Sequence, residues 1–152
     1  NVHLVWDRRV LDEPFVAAIG SPAQWVFDRT EQSGLRGGQY LAVSVSAADA
    51  VIDAPVAAMQ EVFVPEIRRL LKGARDATLV DFFVTRERAA TFRPAPGVAR
   101  LRPPTRTSYD GLFLAGAHCA TGWPATMESA VRSGDAAADA ALSHLRRPVV
   151  AA

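Results

Sequence analysis

GLFLAGAHCATGWPATMESAVRSGDAAADAAL, residues 111–142, opens as an apolar run and closes as an alanine-rich helix. Leu112, Phe113, Leu114 and Ala115 are continuously apolar, which predicts a central strand buried on both faces. Gly116 ends that run and lets a ligand or another backbone come close. Gly122 frees the turn that follows, and Pro124 suits a first helical position, where its missing N–H is no loss. The N–H groups of Ala125 to Glu128 would then point outward, unpaired, at the positive end of the helix dipole. In open α/β sheets, ligands collect at the carboxyl ends of strands. The strand–turn–helix therefore predicts an electron-rich or anionic ligand group over Pro124–Glu128. Ala130, Gly134, Ala137, Ala138 and Ala141 give the helix a face of small residues. Such a face fills a tight core or lies close to a flat ligand.

Upstream of this unit the pattern changes. Residues 2–6 (VHLVW), Phe15 to Ile19, Gln24 to Asp28, Tyr40 to Ser46 and Thr78 to Thr85 read as strands. The segment EQSGLRGGQ between them reads as a loop. Val56, Met59, Phe63, Ile67, Leu70 and Leu71 recur at helical spacing after an N-cap at Asp53. Pro65 inside that pattern should kink or divide the helix, and Gly73 should stop it. Residues 93–105, with four prolines and one glycine, read as an extended connector. Strands grouped around one helix suggest a mixed or antiparallel sheet, and the last strand–turn–helix belongs to an α/β-type layer. The expected class is α/β, as an α+β fragment, divided into residues 1–105 and 106–152.

Composition bounds the function. Of 152 residues, 49% are apolar and 22% charged, a globular balance, and the net charge of +1 is interspersed. No basic face argues for nucleic acid. Cys119 is the only cysteine, so no intrachain disulfide forms and a reducing, cytoplasmic compartment is the default. No basic leader with an apolar core opens the sequence, and no apolar run approaches the roughly 20 residues that span a bilayer. Asn1 leads straight into strand-like sequence, which suggests the back part of a longer protein.

GLFLAG followed by TGWPATMESAVRSGDAAA closely resembles the C-terminal flavin motif of FAD-dependent amine oxidases and carotenoid desaturases. NVHLVWDRRV, SPAQWVFDRT and RPAPGVARLRPPTRT are similar, in order, to the squalene-associated FAD-dependent desaturase branch, tied to hopanoid synthesis. The resemblance implies that residues 106–152 close a Rossmann-type FAD domain and that residues 1–105 belong to a substrate-binding domain. It places Gly116 and Ala117 near the ribityl chain and Thr121, Gly122 and Trp123 beside the flavin ring. Thr126, Met127 and Glu128 fall at the helix start, facing the pyrimidine edge. The glycine-rich pyrophosphate fingerprint is absent from the sequence, and the family carries it in an upstream segment. The fragment alone is therefore expected to be inactive. Two positions depart from the family pattern. Ala117 stands where an acidic residue usually bonds the ribityl hydroxyls, and Ser129 where glycine is usual.

The implied activity is hydride transfer between flavin and a long isoprenoid lipid, by desaturation or by reductive loss of a hydroxyl. The flavin carries such chemistry, which fits a sequence with no catalytic dyad or triad. Leu41, Val43, Val45, Phe82 and Val84 could line a lipid channel or form ordinary sheet core. Contact with the inner face of a membrane as a peripheral protein is compatible with such a substrate. His118 and Cys119 are adjacent, but with His3 and His144 they form no metal motif. A flavin amine oxidase and a non-catalytic lipid-binding or interaction module are the rival readings.

Overall fold

The computed structural model describes residues 1–146 and divides into two compact units, Asn1–Arg88 and the described part of Ala89–Ala152. The division follows Arg88, and the proline-rich connector falls in the second unit.

The first unit is one antiparallel sheet with a helix on it. Strands β1 (Val2–Trp6), β2 (Phe15–Ala17), β3 (Trp25–Asp28), β4 (Gln39–Ser44) and β5 (Leu79–Val84) lie in the order β2-β3-β4-β1-β5. Every pairing is antiparallel, which resolves the mixed-or-antiparallel expectation. Alternation along β1 and β4 turns Val2, Leu4, Trp6, Leu41 and Val43 to one face, where all are buried. Helix α2 (Val56–Leu70) covers that face with Met59, Phe63, Val64 and Ile67. Burial of such side chains stabilises by roughly 1.5–3 kcal/mol each.

Several local expectations change. The predicted loop contains a single helical turn, α1 (Thr30–Ser33). Pro55, not Asp53, occupies the α2 N-cap, and Asp53 pairs with Arg88 instead. Pro65 does not divide α2, because its exposed position leaves the packed stripe intact and only one backbone bond is forgone. Gly73 does not stop α2. It lies in a 3₁₀ turn, Lys72–Ala74, where a Cβ would stand 2.8 Å from Val10 Cα, so the close chain crossing explains the glycine. Gly38 has φ +79, and a Cβ there would stand within 2.1 Å of the Trp6 carbonyl oxygen.

One polar side chain is fully committed to this core. Gln39, 2% exposed, accepts from the Val10 and Leu11 N–H groups at 2.7 and 2.9 Å. Its amide donates to the Leu11 carbonyl and to Asp28, both at 2.7 Å. Burial raises the Asp28 pKa, but hydrogen bonds from Thr30 and Gln39 outweigh it and hold the group below its usual range.

The second unit holds a 3₁₀ turn, Val98–Leu101, inside the supposedly extended connector, and the long helix α3 (Met127–Leu145). Leu112–Ala115 do not form the expected buried strand. Phe113 makes one bridge to Arg106, and Leu112 is half exposed. A strand is held by ladders on its edges, and among the described residues only the 105–107 segment lies alongside this one.

Candidate flavin site

Helix α3 starts three residues later than Pro124 predicts. Thr126 is its N-cap, with extended backbone and no side-chain hydrogen bond to the helix. The Thr126 hydroxyl instead donates back to the Pro124 carbonyl at 3.2 Å. The first N–H groups of the helix thus have no side-chain cap. Met127 is 88% exposed, and Gly122, at φ +74, has open space around it. Among the described residues, the surface beside the helix start is therefore open at Met127 and Gly122.

The buried face of α3 is not the alanine stripe alone. Ser129 and Ser133 are fully buried, with Ala140 further along, while Ala130, Gly134, Ala137 and Ala141 are half-buried and Ala138 is exposed. Ser133 pins the loop entrance: its hydroxyl accepts from the Gly116 N–H at 2.7 Å and sits 3.0 Å from the Gly116 carbonyl oxygen and 2.8 Å from that of Ala130. Gly116 has φ +141, and a Cβ would stand 2.7 Å from the His118 ring, so glycine is required by the fold of the loop itself. Ser129 shares a 2.7 Å hydrogen bond with the Thr121 hydroxyl, which is thereby used internally.

Arg102, which no sequence motif singled out, organises the rest. Its guanidinium donates to the carbonyl oxygens of Ala117 at 2.8 Å, His118 at 3.4 Å and Trp123, and to the Ser129 hydroxyl at 2.9 Å. Ala117, Thr121, Trp123 and Ser129 are thus drawn together by one polar network, and Gly116 is held separately by Ser133. At Ser129, a departure from the family pattern, the hydroxyl joins that network. Ala117 offers no acid, and its carbonyl is already taken by Arg102. Glu128 is half exposed and pairs with Arg132 at 2.7 Å, while the Arg132 guanidinium lies 4.4 Å over the Trp123 ring. Cys119 is buried, and among the described residues no group of three metal-ligating side chains occurs.

The sequence profile of the family described as Flavin containing amine oxidoreductase matches residues 1–142. The chain belongs to that family. Three hydroxysqualene dehydroxylases are similar to this flavin amine oxidoreductase chain. The protein of Sinorhizobium fredii is 34% identical over 143 residues, covering 94% of this chain and 32% of that protein. That of Zymomonas mobilis is 31% identical over 144 residues, covering 95% and 32%. The Rhodopseudomonas palustris protein is 35% identical over 125 residues, covering 82% and 28%. The chain spans about a third of the length of these curated relatives. Family membership implies a flavin, and the uncapped, open start of α3 fits one: exposed backbone N–H groups at a helix start suit an electron-rich ligand edge.

The sheet unit offers a different surface. Leu41 and Val43 are wholly inside, and Val45, Phe82 and Val84 pack partly buried against the same core, so the suggested channel residues form core. The opposite face is aromatic. Register places Phe15, Phe27, Ala42, His3 and Phe83 in one line across all five strands. Phe15, Trp25 and Phe27 cluster with centroids 6.0–6.3 Å apart, and Phe15, Trp25 and Phe83 are 52%, 44% and 40% exposed. His3 stacks on Phe83 at 4.5 Å. Its two nitrogens lie 2.7 Å from the Tyr40 hydroxyl and 2.8 Å from that of Thr85. Burial, and then the positive amino terminus, lowers its pKa.

Proposed function

We propose that the protein is an FAD-dependent oxidoreductase that transfers hydride between flavin and a long isoprenoid lipid. The observation that carries this is the open, uncapped helix start within TGWPATMES, in a chain of the flavin amine oxidoreductase family. Bound there, FAD would supply the hydride chemistry. The N–H groups of Met127 and Glu128 would hydrogen-bond its pyrimidine edge, and the helix dipole would favour the negative charge that edge carries when reduced. Gly122 would let the ring approach the backbone, Trp123 would flank it, and Gly116 and Ala117 would border the ribityl chain. Residues 1–105 would serve the substrate. The aromatic face of the sheet, with half-exposed Phe15, Trp25 and Phe83, suits a hydrocarbon.

The names of the relatives favour hydroxyl loss over desaturation. In that direction the C–O bond breaks, the oxygen leaves with a proton as water, and hydride takes its place on carbon. Such a substrate places the protein at the cytoplasmic face of a membrane. No helix among the described residues is long and apolar enough to cross one.

The test is purification of the full-length protein, followed by anaerobic reduction and addition of hydroxysqualene. Expected are a yellow protein, reoxidation by the substrate and formation of squalene. A full-length protein that takes up no FAD would overturn the proposal, and reduction of its oxidised flavin by amines, with no reoxidation of the reduced flavin by the lipid, would redirect it to amine oxidation.

A further inference from the structure

We infer that Arg102 is a positioning residue for the flavin, shaping the cofactor-facing loop and adding positive charge beneath it. The inference rests on the flavin reading of the α3 start and deepens it.

Arg102 follows the Val98–Leu101 turn and precedes Pro103 and Pro104, whose fixed φ angles stiffen its backbone. The Ala120 N–H donates to the Pro103 carbonyl at 2.8 Å, so the same short segment holds the loop at a second point. From this anchor the guanidinium gathers three carbonyl oxygens, of Ala117, His118 and Trp123, from a loop of seven residues. The fork of five donors is the side chain able to do so. Carbonyl oxygens collected on one cation are not free to face an electron-rich ligand, which they would repel.

The charge itself is informative. All of these acceptors, with the Ser129 hydroxyl, are neutral oxygens. Arg102 therefore keeps its positive charge against the first turn of α3, through Ser129. A cation at a helix N-terminus opposes the dipole and destabilises the helix. The same placement adds to the dipole in attracting negative charge, so it makes sense where an electron-rich group docks. Reduced flavin carries more negative charge than oxidised flavin, so Arg102 should favour the reduced form.

The experiment compares the flavin-loaded full-length protein with its R102K, R102Q and S129A variants. FAD affinity is measured by titrating apoprotein, and the two-electron midpoint potential is measured at saturating FAD. Loss of charge-assisted hydrogen bonds should weaken FAD binding in R102Q by about tenfold or more. Each tenfold loss of preference for the reduced form lowers the potential by about 30 mV, and R102Q should shift by about that amount. R102K, which keeps the charge but not the fork, should bind FAD weakly yet hold its potential near the wild-type value. S129A should weaken FAD binding by a few fold, and it decides the matter together with R102K if R102Q does not fold. Unchanged affinity across the variants would overturn the inference. So would weaker binding in R102Q with an unmoved potential, since that marks a merely structural role. A wild-type protein that takes up no FAD would instead overturn the flavin reading itself.

Discussion

Gln39 shows how one side chain can hold a fold that hydrophobic pattern alone leaves open. Its amide satisfies two backbone N–H groups and one carbonyl of the 10–11 segment, which has no strand neighbour there. Gln39→Leu would leave the two N–H groups buried and unpaired, while the Leu11 carbonyl keeps its bond from Arg9 Nε at 3.2 Å. The substitution should destabilise the chain by about 2 kcal/mol or more. Urea unfolding should show a lower midpoint with an unchanged slope. His3 gives a pH prediction. Its pKa is depressed in the folded protein, chiefly by burial, so the unfolded chain binds a proton that the folded chain refuses. That contribution is complete above about pH 6.5 and is lost as pH falls toward the folded value. Asp7 and Glu66, each held at about 2 by a hydrogen bond from arginine, act at lower pH. Their share is lost only as pH falls from the ordinary carboxylate range toward 2. Melting temperature should therefore drop between pH 7 and 5 in the wild type, and this early drop should vanish in His3→Phe. A drop of equal size in that variant would assign it to another group.

At the scale of elements, helix α2 carries a tolerated fault. Pro65 is exposed and removes one backbone hydrogen bond from the middle of the helix. Pro65→Ala restores the bond and loses no packing, while the unfolded chain gains some freedom. The expected net gain is about 1–2 kcal/mol, visible as a melting temperature raised by several degrees. A lower melting temperature would show that the proline rigidifies more than it disrupts. Helix α3 makes the opposite point. Its small-residue stripe was legible in the sequence, but its most buried residues are Ser129 and Ser133. Serines in a helix are usually read as solvent-facing. Here the Ser133 hydroxyl meets the Gly116 backbone, and the Ser129 hydroxyl meets the Thr121 hydroxyl and the Arg102 guanidinium, groups that sequence spacing does not place beside them.

For the molecule as a whole, one sheet face is buried core and the other is the half-exposed aromatic surface proposed above for the substrate. Leu41 is completely buried beneath α2, so Leu41→Ala should cost about 2–5 kcal/mol in stability. Trp25 and Phe83 are half exposed on the other face. Trp25→Ala and Phe83→Ala should leave the melting temperature nearly unchanged and raise the KM for an isoprenoid substrate several fold. Equal activity with weaker folding would show that the aromatic face serves packing within the full protein. Both outcomes are read from steady-state kinetics paired with thermal unfolding.

The sequence by itself determined the strands of the first unit to within a residue or two, the α2 core stripe, the α3 helix and the flavin motif. Period-two and helical spacing, and a long motif, are local signals that need no partner to be read. Only the tertiary structure decided which sheet face is core, that residues 112–115 make a single bridge instead of a strand, and that Arg102 organises the 117–123 loop. Each of those depends on groups brought together across many residues: a strand exists only with neighbours at its edges, and Arg102 meets acceptors 15 to 27 positions away. No spacing rule connects such residues. Their pairing follows from folding, which brings most buried polar groups to a partner.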